Sequence, residues 1–206
     1  LDAATGQYVF TLQDQLTPPM HDVLQDGETI TIDLSGMIEV TDNDGDKIVV
    51  DGQSFMISVD DDVPIQTSAV VTGLVHEDAL QNGQSDGNEE TGQVVAVSGS
   101  IAGLVTVGAD EAPTYSLNPD VTFLETQDLL GKDGVELTYA VTGNTLTATG
   151  AGGTAFTLTL DAVTGEYVFT LVDQLTHPLP GSLDDSQAIT IDLSGMIEVT
   201  DNDGDK

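Results

Sequence analysis

The chain has 206 residues, 36 of them acidic against three lysines and no arginine, for a formal net charge of −33. Nucleic acid and anionic membrane surfaces both need a basic footprint, so neither is expected as a partner. Hydrophobic residues make up 39%, enough for a core, and without cysteine there can be neither disulfides nor thiolate metal sites.

The chain opens inside a repeat. Residues 1–47 align without a gap to 160–206, with 35 of the 47 positions identical and the differences concentrated between Pro18 and Thr29. Residues 31–47 and 190–206 are identical throughout. A period of 159 residues with such agreement indicates tandem copies of a whole domain, and a parent chain longer than this one is expected. Each copy carries Ile-Thr-Ile-Asp-Leu, an alternating strand pattern, and ends in Asp42-Asn43-Asp44-Gly45-Asp46 or its twin at Asp201 to Asp205.

Strands are predicted at 47–50 and 54–59. The strand ending at Ser58-Val59 runs into Asp60-Asp61-Asp62, and Pro64 then favours an extended exit while blocking sheet pairing. The organisation expected is residues 1–59 as the C-terminal part of one repeat, 60–64 as an acidic linker, and 65–206 as the next repeat without its last strands. Further strands are predicted at 66–72, 94–100, 103–107, 113–116 and 121–124. The polar stretch from Gln81 to Gly92 reads as a surface loop, and Phe123 to Leu130 as one short helical turn at most.

Glu136 to Thr142 alternates, Gly143-Asn144 makes a two-residue turn, and Thr145 to Thr149 returns, which is a hairpin signature. Ala155 to Leu160 and Tyr167 to Leu171 follow, with Phe156, Leu158 and Leu160, then Tyr167, Phe169 and Leu171, each on one face. The last strands are predicted at 187–193 and 195–199. Many short strands separated by Gly and Asn/Asp turns indicate an all-β, antiparallel β-sandwich.

Asp42, Asp44 and Asp46, with Asp201, Asp203 and Asp205, are the first candidates for metal. Alternate residues of a turn can converge several hard oxygens on one Ca2+ ion. Bringing three carboxylates together costs about 2–2.5 kcal/mol of repulsion before screening. Calcium at about 100 times its dissociation constant would instead add about 2.7 kcal/mol per site. The loop is not an EF-hand, because its glycine comes one position too early and Gln53 stands where a bidentate Glu would be needed. The alternative reading is a solvated acidic turn. Asp33, Glu39, Asp192 and Glu198 could contribute ligands but are expected to face solvent, and Asp22, Asp26, Asp184 and Asp185 to be surface charge. His21, His76 and His177 share no zinc spacing. No His–Ser–Asp set or phosphate loop appears and the acids lie in exposed turns, so an enzyme is not expected. No apolar run approaches a membrane span.

Four stretches carry a resemblance: Ala155 to Leu171, Asp173 to Pro178, Val199 to Asp205, and the junction Val59 to Pro64 with Val75-His-Glu-Asp-Ala-Leu80 after it. Together they resemble the large tandem repeat of type I-secreted, giant RTX-type adhesins of Gram-negative bacteria. The resemblance covers nearly the whole chain, more loosely over 81–135. It implies immunoglobulin-like sandwiches strung as an extender, which holds a distal ligand-binding region away from the outer membrane for attachment and biofilm formation. It also implies calcium in the linkers, with Asp60, Asp61, Asp62, Glu77 and Asp78 as its ligands, neighbouring repeats as the partners, and an extracellular, cell-surface location. The Gly-rich nonapeptide repeats of that family are absent here. The competing expectation is a calcium-dependent glycan- or peptide-binding sandwich, which the tandem copy and the 4% aromatic content disfavour.

Overall fold

The structure, a computed structural model, describes residues 1–206 apart from 15, 17–28, 82–86, 88–90, 110–111, 178–187 and 203. Its strands are β1 (Thr29–Asp33), β2 (Glu39–Thr41), β3 (Lys47–Val49), β4 (Met56–Asp60), β5 (Ile65–Gln66), β6 (Ala96–Ser100), β7 (Val105–Thr106), β8 (Thr114–Leu117), β9 (Thr138–Thr142), β10 (Thr145–Gly150), β11 (Gly153–Leu160), β12 (Glu166–Leu171) and β13 (Ile197–Thr200). Every strand pairing is antiparallel. Among the described residues the one α-helix, α1 (Thr122–Glu125), has four residues. The fold is all-β, a sandwich of antiparallel sheets.

The principal sheet has five strands in the order β6-β12-β11-β10-β9. Its inward residues follow the period of two that a pleated strand imposes. Leu146 and Ala148 from β10, Phe156, Leu158 and Leu160 from β11, and Phe169 and Leu171 from β12 are all buried. Facing them is the β8–β13 pair, which contributes Tyr115, Leu117 and Val199, joined by Leu124 of α1 and Met196. The Gly143-Asn144 turn joins β9 to β10 as expected, with Gly143 at a φ of +55°.

Among the described residues, the strands of residues 29–60 pair only with one another. β1 runs against β4 from Thr29↔Asp60 to Asp33↔Met56, and β2 runs against β3. After the linker, β5 pairs forward with β7. No strand pairing among the described residues joins the two sides of Asp61 to Pro64.

Several expected elements differ. Residues 121–124 give α1 in place of a strand: Val121 C=O accepts from Leu124 and Glu125 N–H, and the Asp120 carboxylate accepts from Thr122 N–H. The strand expected at 66–72 is confined to β5, because β7, the strand it pairs with, is itself only two residues long. The expected 103–107 strand begins late, after a 3-10 turn at Ala102–Leu104. Residues 189–193 form no strand, although the same sequence at 30–34 supplies most of β1 in the first copy. Most of the Gln81 to Gly92 loop lies outside the described residues.

Candidate metal centre

The Asp42 loop is built by its own backbone. Asp42 N–H donates to Asp46 C=O at 2.9 Å, closing a turn in which Gly45 takes a φ of +103°. Inside that turn the Asp42 Oδ1 accepts from the N–H groups of Asp44, Gly45 and Asp46 at 3.2, 3.0 and 2.9 Å. One oxygen of Asp42 is therefore committed to shaping the loop, and Oδ2 remains to meet a ligand. A hydrogen bond shared with the Asp44 carboxyl, followed by the backbone N–H groups of Asp46, Asp44 and Gly45, holds Asp42 below its ordinary value of 3.8. It is thus ionised at neutral pH, as a hard-cation ligand must be.

Asp42, Asp44 and Asp46 each present a carboxylate oxygen, and these oxygens all lie within 4.8 Å of one another. All three residues are exposed. Such a triad can hold a metal ion with three carboxylate oxygens. Calcium takes 6–8 oxygens, so backbone carbonyls and water would complete its shell.

The twin loop forms in the same way. Asp201 N–H donates to Asp205 C=O at 3.0 Å, and Asp201 Oδ1 accepts from Gly204 and Asp205 N–H at 3.0 and 2.8 Å. Gly204 repeats the positive φ, at +115°. What differs is burial: Asp201 and Asp205 are only 5% and 6% exposed. Asp203 lies outside the described residues, as do Asp22, Asp26, Asp184, Asp185 and His21. Buried carboxylates are expensive unless hydrogen bonds or a cation compensate them, and at Asp201 the N–H groups of Gly204 and Asp205 supply part of that compensation.

Little positive charge is at hand. Lys47 bonds Glu39 Oε1 at 2.5 Å across β2 and β3, Lys206 repeats that contact with Glu198, and Lys132 meets the buried Asp173 at 3.0 Å. All three lysines are thereby engaged with carboxylates, at Glu39, Asp173 and Glu198.

The junction acids are not gathered. Asp60 accepts from the Thr29 hydroxyl at 2.9 Å. Asp62 Oδ2 accepts from Ala109 N–H at 2.7 Å, tying the linker to the turn after β7. Glu77 Oε1 accepts from Leu175 N–H at 2.6 Å and lies 3.6 Å from His177 Nε2. Asp61 and Asp78 are half-buried. Among the described residues, Asp42, Asp44 and Asp46 are the one group of three or more acids close enough to share an ion. The Asp62 anchor had no local signal, since its partner is 47 residues away.

A family model described as a domain of unknown function (DUF5801) matches residues 74–206, so the chain belongs to that family. No curated protein and no solved structure matches it.

Proposed function

We propose that this member of the DUF5801 family is an extender module: an immunoglobulin-like β-sandwich, repeated in tandem and stiffened by calcium, within a secreted adhesin on the surface of a Gram-negative bacterium. Its work is mechanical, holding a distal ligand-binding region at a distance for attachment and biofilm formation. It performs no catalysis.

One observation carries this reading. The same aspartate loop is built twice with the same backbone hydrogen bonds, once per repeat, and in the first its three carboxylates converge to within 4.8 Å. Calcium is favoured over magnesium because the loop offers few rigid ligands and an open shell, which a flexible coordination sphere tolerates and a strict octahedron does not. With a net charge of −33 and every lysine engaged, divalent cations also relieve the self-repulsion of the folded state.

Thermal unfolding and small-angle scattering with calcium and with a chelator test this. Calcium is expected to raise the melting temperature and to narrow the distribution of chain dimensions. Equal stability and equal stiffness in both conditions would sink the proposal.

A further inference from the structure

Six aspartates of the chain are followed by glycine, and three of these pairs, at Asp44, Asp51 and Asp133, lie wholly among the described residues. A glycine after an aspartate leaves the joining amide nitrogen unshielded, open to attack the side chain just before it. What separates the three pairs is where that N–H points. Gly45 N–H donates to Asp42 Oδ1 at 3.0 Å, and Gly134 N–H to Gly131 C=O at 2.9 Å. Each is thus held by an oxygen of another residue. Gly52 N–H instead donates to Oδ1 of Asp51, the residue directly before it, at 2.7 Å. The Asp51 Cγ is one bond from that oxygen, so it lies within about 4 Å of the nitrogen. That is close to the reacting separation of about 3–3.5 Å.

We propose that Asp51-Gly52 is a self-modification site, at which Asp51 converts to isoaspartate through a cyclic imide. The Gly52 nitrogen attacks Cγ of the Asp51 carboxyl in its acid form. The N–Cγ bond forms, and the carboxyl hydroxyl leaves with the amide proton as water. Water then reopens the five-membered ring, which it can reach because both residues are exposed. Attack at Cγ breaks the new bond and restores aspartate. Attack at the original main-chain carbonyl carbon breaks its bond to the Gly52 nitrogen, and the main chain then runs through Cγ.

The pair sits between two anchors. Before it, Val50 N–H donates to Ile38 C=O at 2.9 Å. After it, Gln53 N–H donates to Asp33 Oδ2 at 3.1 Å, and Ser54 and Phe55 N–H both donate to Ser35 Oγ at 2.9 Å. Ser35 is fully buried. Isoaspartate adds one carbon to the main chain between these anchors and puts them out of step. The join between β3 and β4 therefore loosens as the molecule ages. This rests on neither the calcium reading nor the extender reading.

The test incubates the full chain for weeks at neutral pH with a chelator, folded and in denaturant. Digestion and electron-transfer fragmentation then distinguish isoaspartate from aspartate. In the folded chain isoaspartate is expected at residue 51 at least tenfold faster than at 44 or 133, with one labelled oxygen taken up per conversion in heavy-oxygen water. In denaturant the three rates should converge, because the hydrogen bonds that separate them are gone. Gly52→Ala should slow the reaction at residue 51 at least tenfold. Its Cβ would meet nothing nearer than Asp33 Oδ2, at 3.9 Å, so the fold accepts it. No isoaspartate at residue 51, equal rates at the three sites in the folded chain, the same preference in denaturant, or an unchanged rate in Gly52→Ala overturns the proposal.

Discussion

Met37 and Met196 hold the same place in the same sequence, yet Met37 is 82% exposed and Met196 is fully buried. Nothing local separates them, since both end a 3-10 turn of Ser-Gly-Met. The difference lies in what the second copy has packed against it. A Cβ on Gly195 would meet the Phe123 ring at 2.5 Å, whereas one on Gly36 would meet nothing. The β8 strand and α1 supply the wall that the first occurrence lacks.

Met196→Ala is therefore expected to cost about 2–5 kcal/mol, as core truncations do, and Met37→Ala to stay within about 0.5 kcal/mol. Denaturant unfolding of the two variants measures this. Equal costs would mean that the two occurrences are packed alike in solution.

This contrast marks how far the sequence alone could be read. The alternation of Leu146 and Ala148, and of Phe156, Leu158 and Leu160, was legible because a half-buried strand imposes it directly. So was the spacing of Asp42, Asp44 and Asp46, a local matter settled by one turn. The Tyr-Val-Phe-Thr-Leu run shows the limit. It forms β12 at 167–171, where β6 and β11 flank it, and no strand at 8–12, where neither is present. Strand formation of this kind depends on neighbours and not on propensity. For the same reason the burial of Asp201 and Asp205 had no sequence signal, because distant segments impose it.

If the Asp42 loop holds calcium, Asp44→Asn should weaken it with little change of shape, because the backbone N–H groups of residues 44, 45 and 46 still close on Asp42 Oδ1. Calcium affinity at that loop, read by isothermal titration, is expected to fall at least tenfold, about 1.4 kcal/mol. Asp42→Asn should both weaken binding and loosen the loop. Unchanged affinity in both variants would remove this triad as a site.

The linker is anchored without metal. Asp62 Oδ2 reaches Ala109 N–H only because Gly108 has no side chain: a Cβ there would lie 1.9 Å from Asp62 Oδ2, and its φ is +58°. Gly108→Ala is expected to break the anchor and cost about 1–3 kcal/mol through backbone strain. Scattering should show a broader range of inter-repeat angles even with calcium present. Unaltered scattering would place the stiffness of the joint elsewhere.

Acid should loosen the turns before the core. A hydrogen bond from the Ser35 side chain and then its backbone N–H hold Asp33 below 3.8, and the N–H groups of Thr164 and Val163 do the same for Asp161. A carboxylate whose folded value is depressed contributes stability that is complete above the unfolded value and is lost as pH falls through the folded one. The turns at Asp33, Asp42 and Asp161 should therefore hold at pH 5 and above, within about a unit of the ordinary value, and release below 3.8. Carboxyl chemical shifts followed from neutral pH downwards would check this. Titration of these three at or above 3.8 would contradict it.

Tyr139 offers a prediction of the opposite sign. Its ring packs 6.4 Å from that of Phe156, but its hydroxyl is buried with no hydrogen-bond partner among the described residues. Burial, and then the Glu125 charge, push its pKa up to about 12. A desolvated hydroxyl without a partner costs about 1–3 kcal/mol. Tyr139→Phe keeps the ring and removes that cost, so it is expected to stabilise the fold by about 1 kcal/mol at neutral pH. Above the ordinary value of 10.0 the unfolded chain ionises this tyrosine while the folded one cannot. The advantage of Tyr139→Phe should therefore widen between pH 10 and about 12. Denaturant midpoints of the two proteins at pH 7 and pH 11 measure both effects. A destabilised variant at pH 7 would mean that the hydroxyl has found a partner in solution.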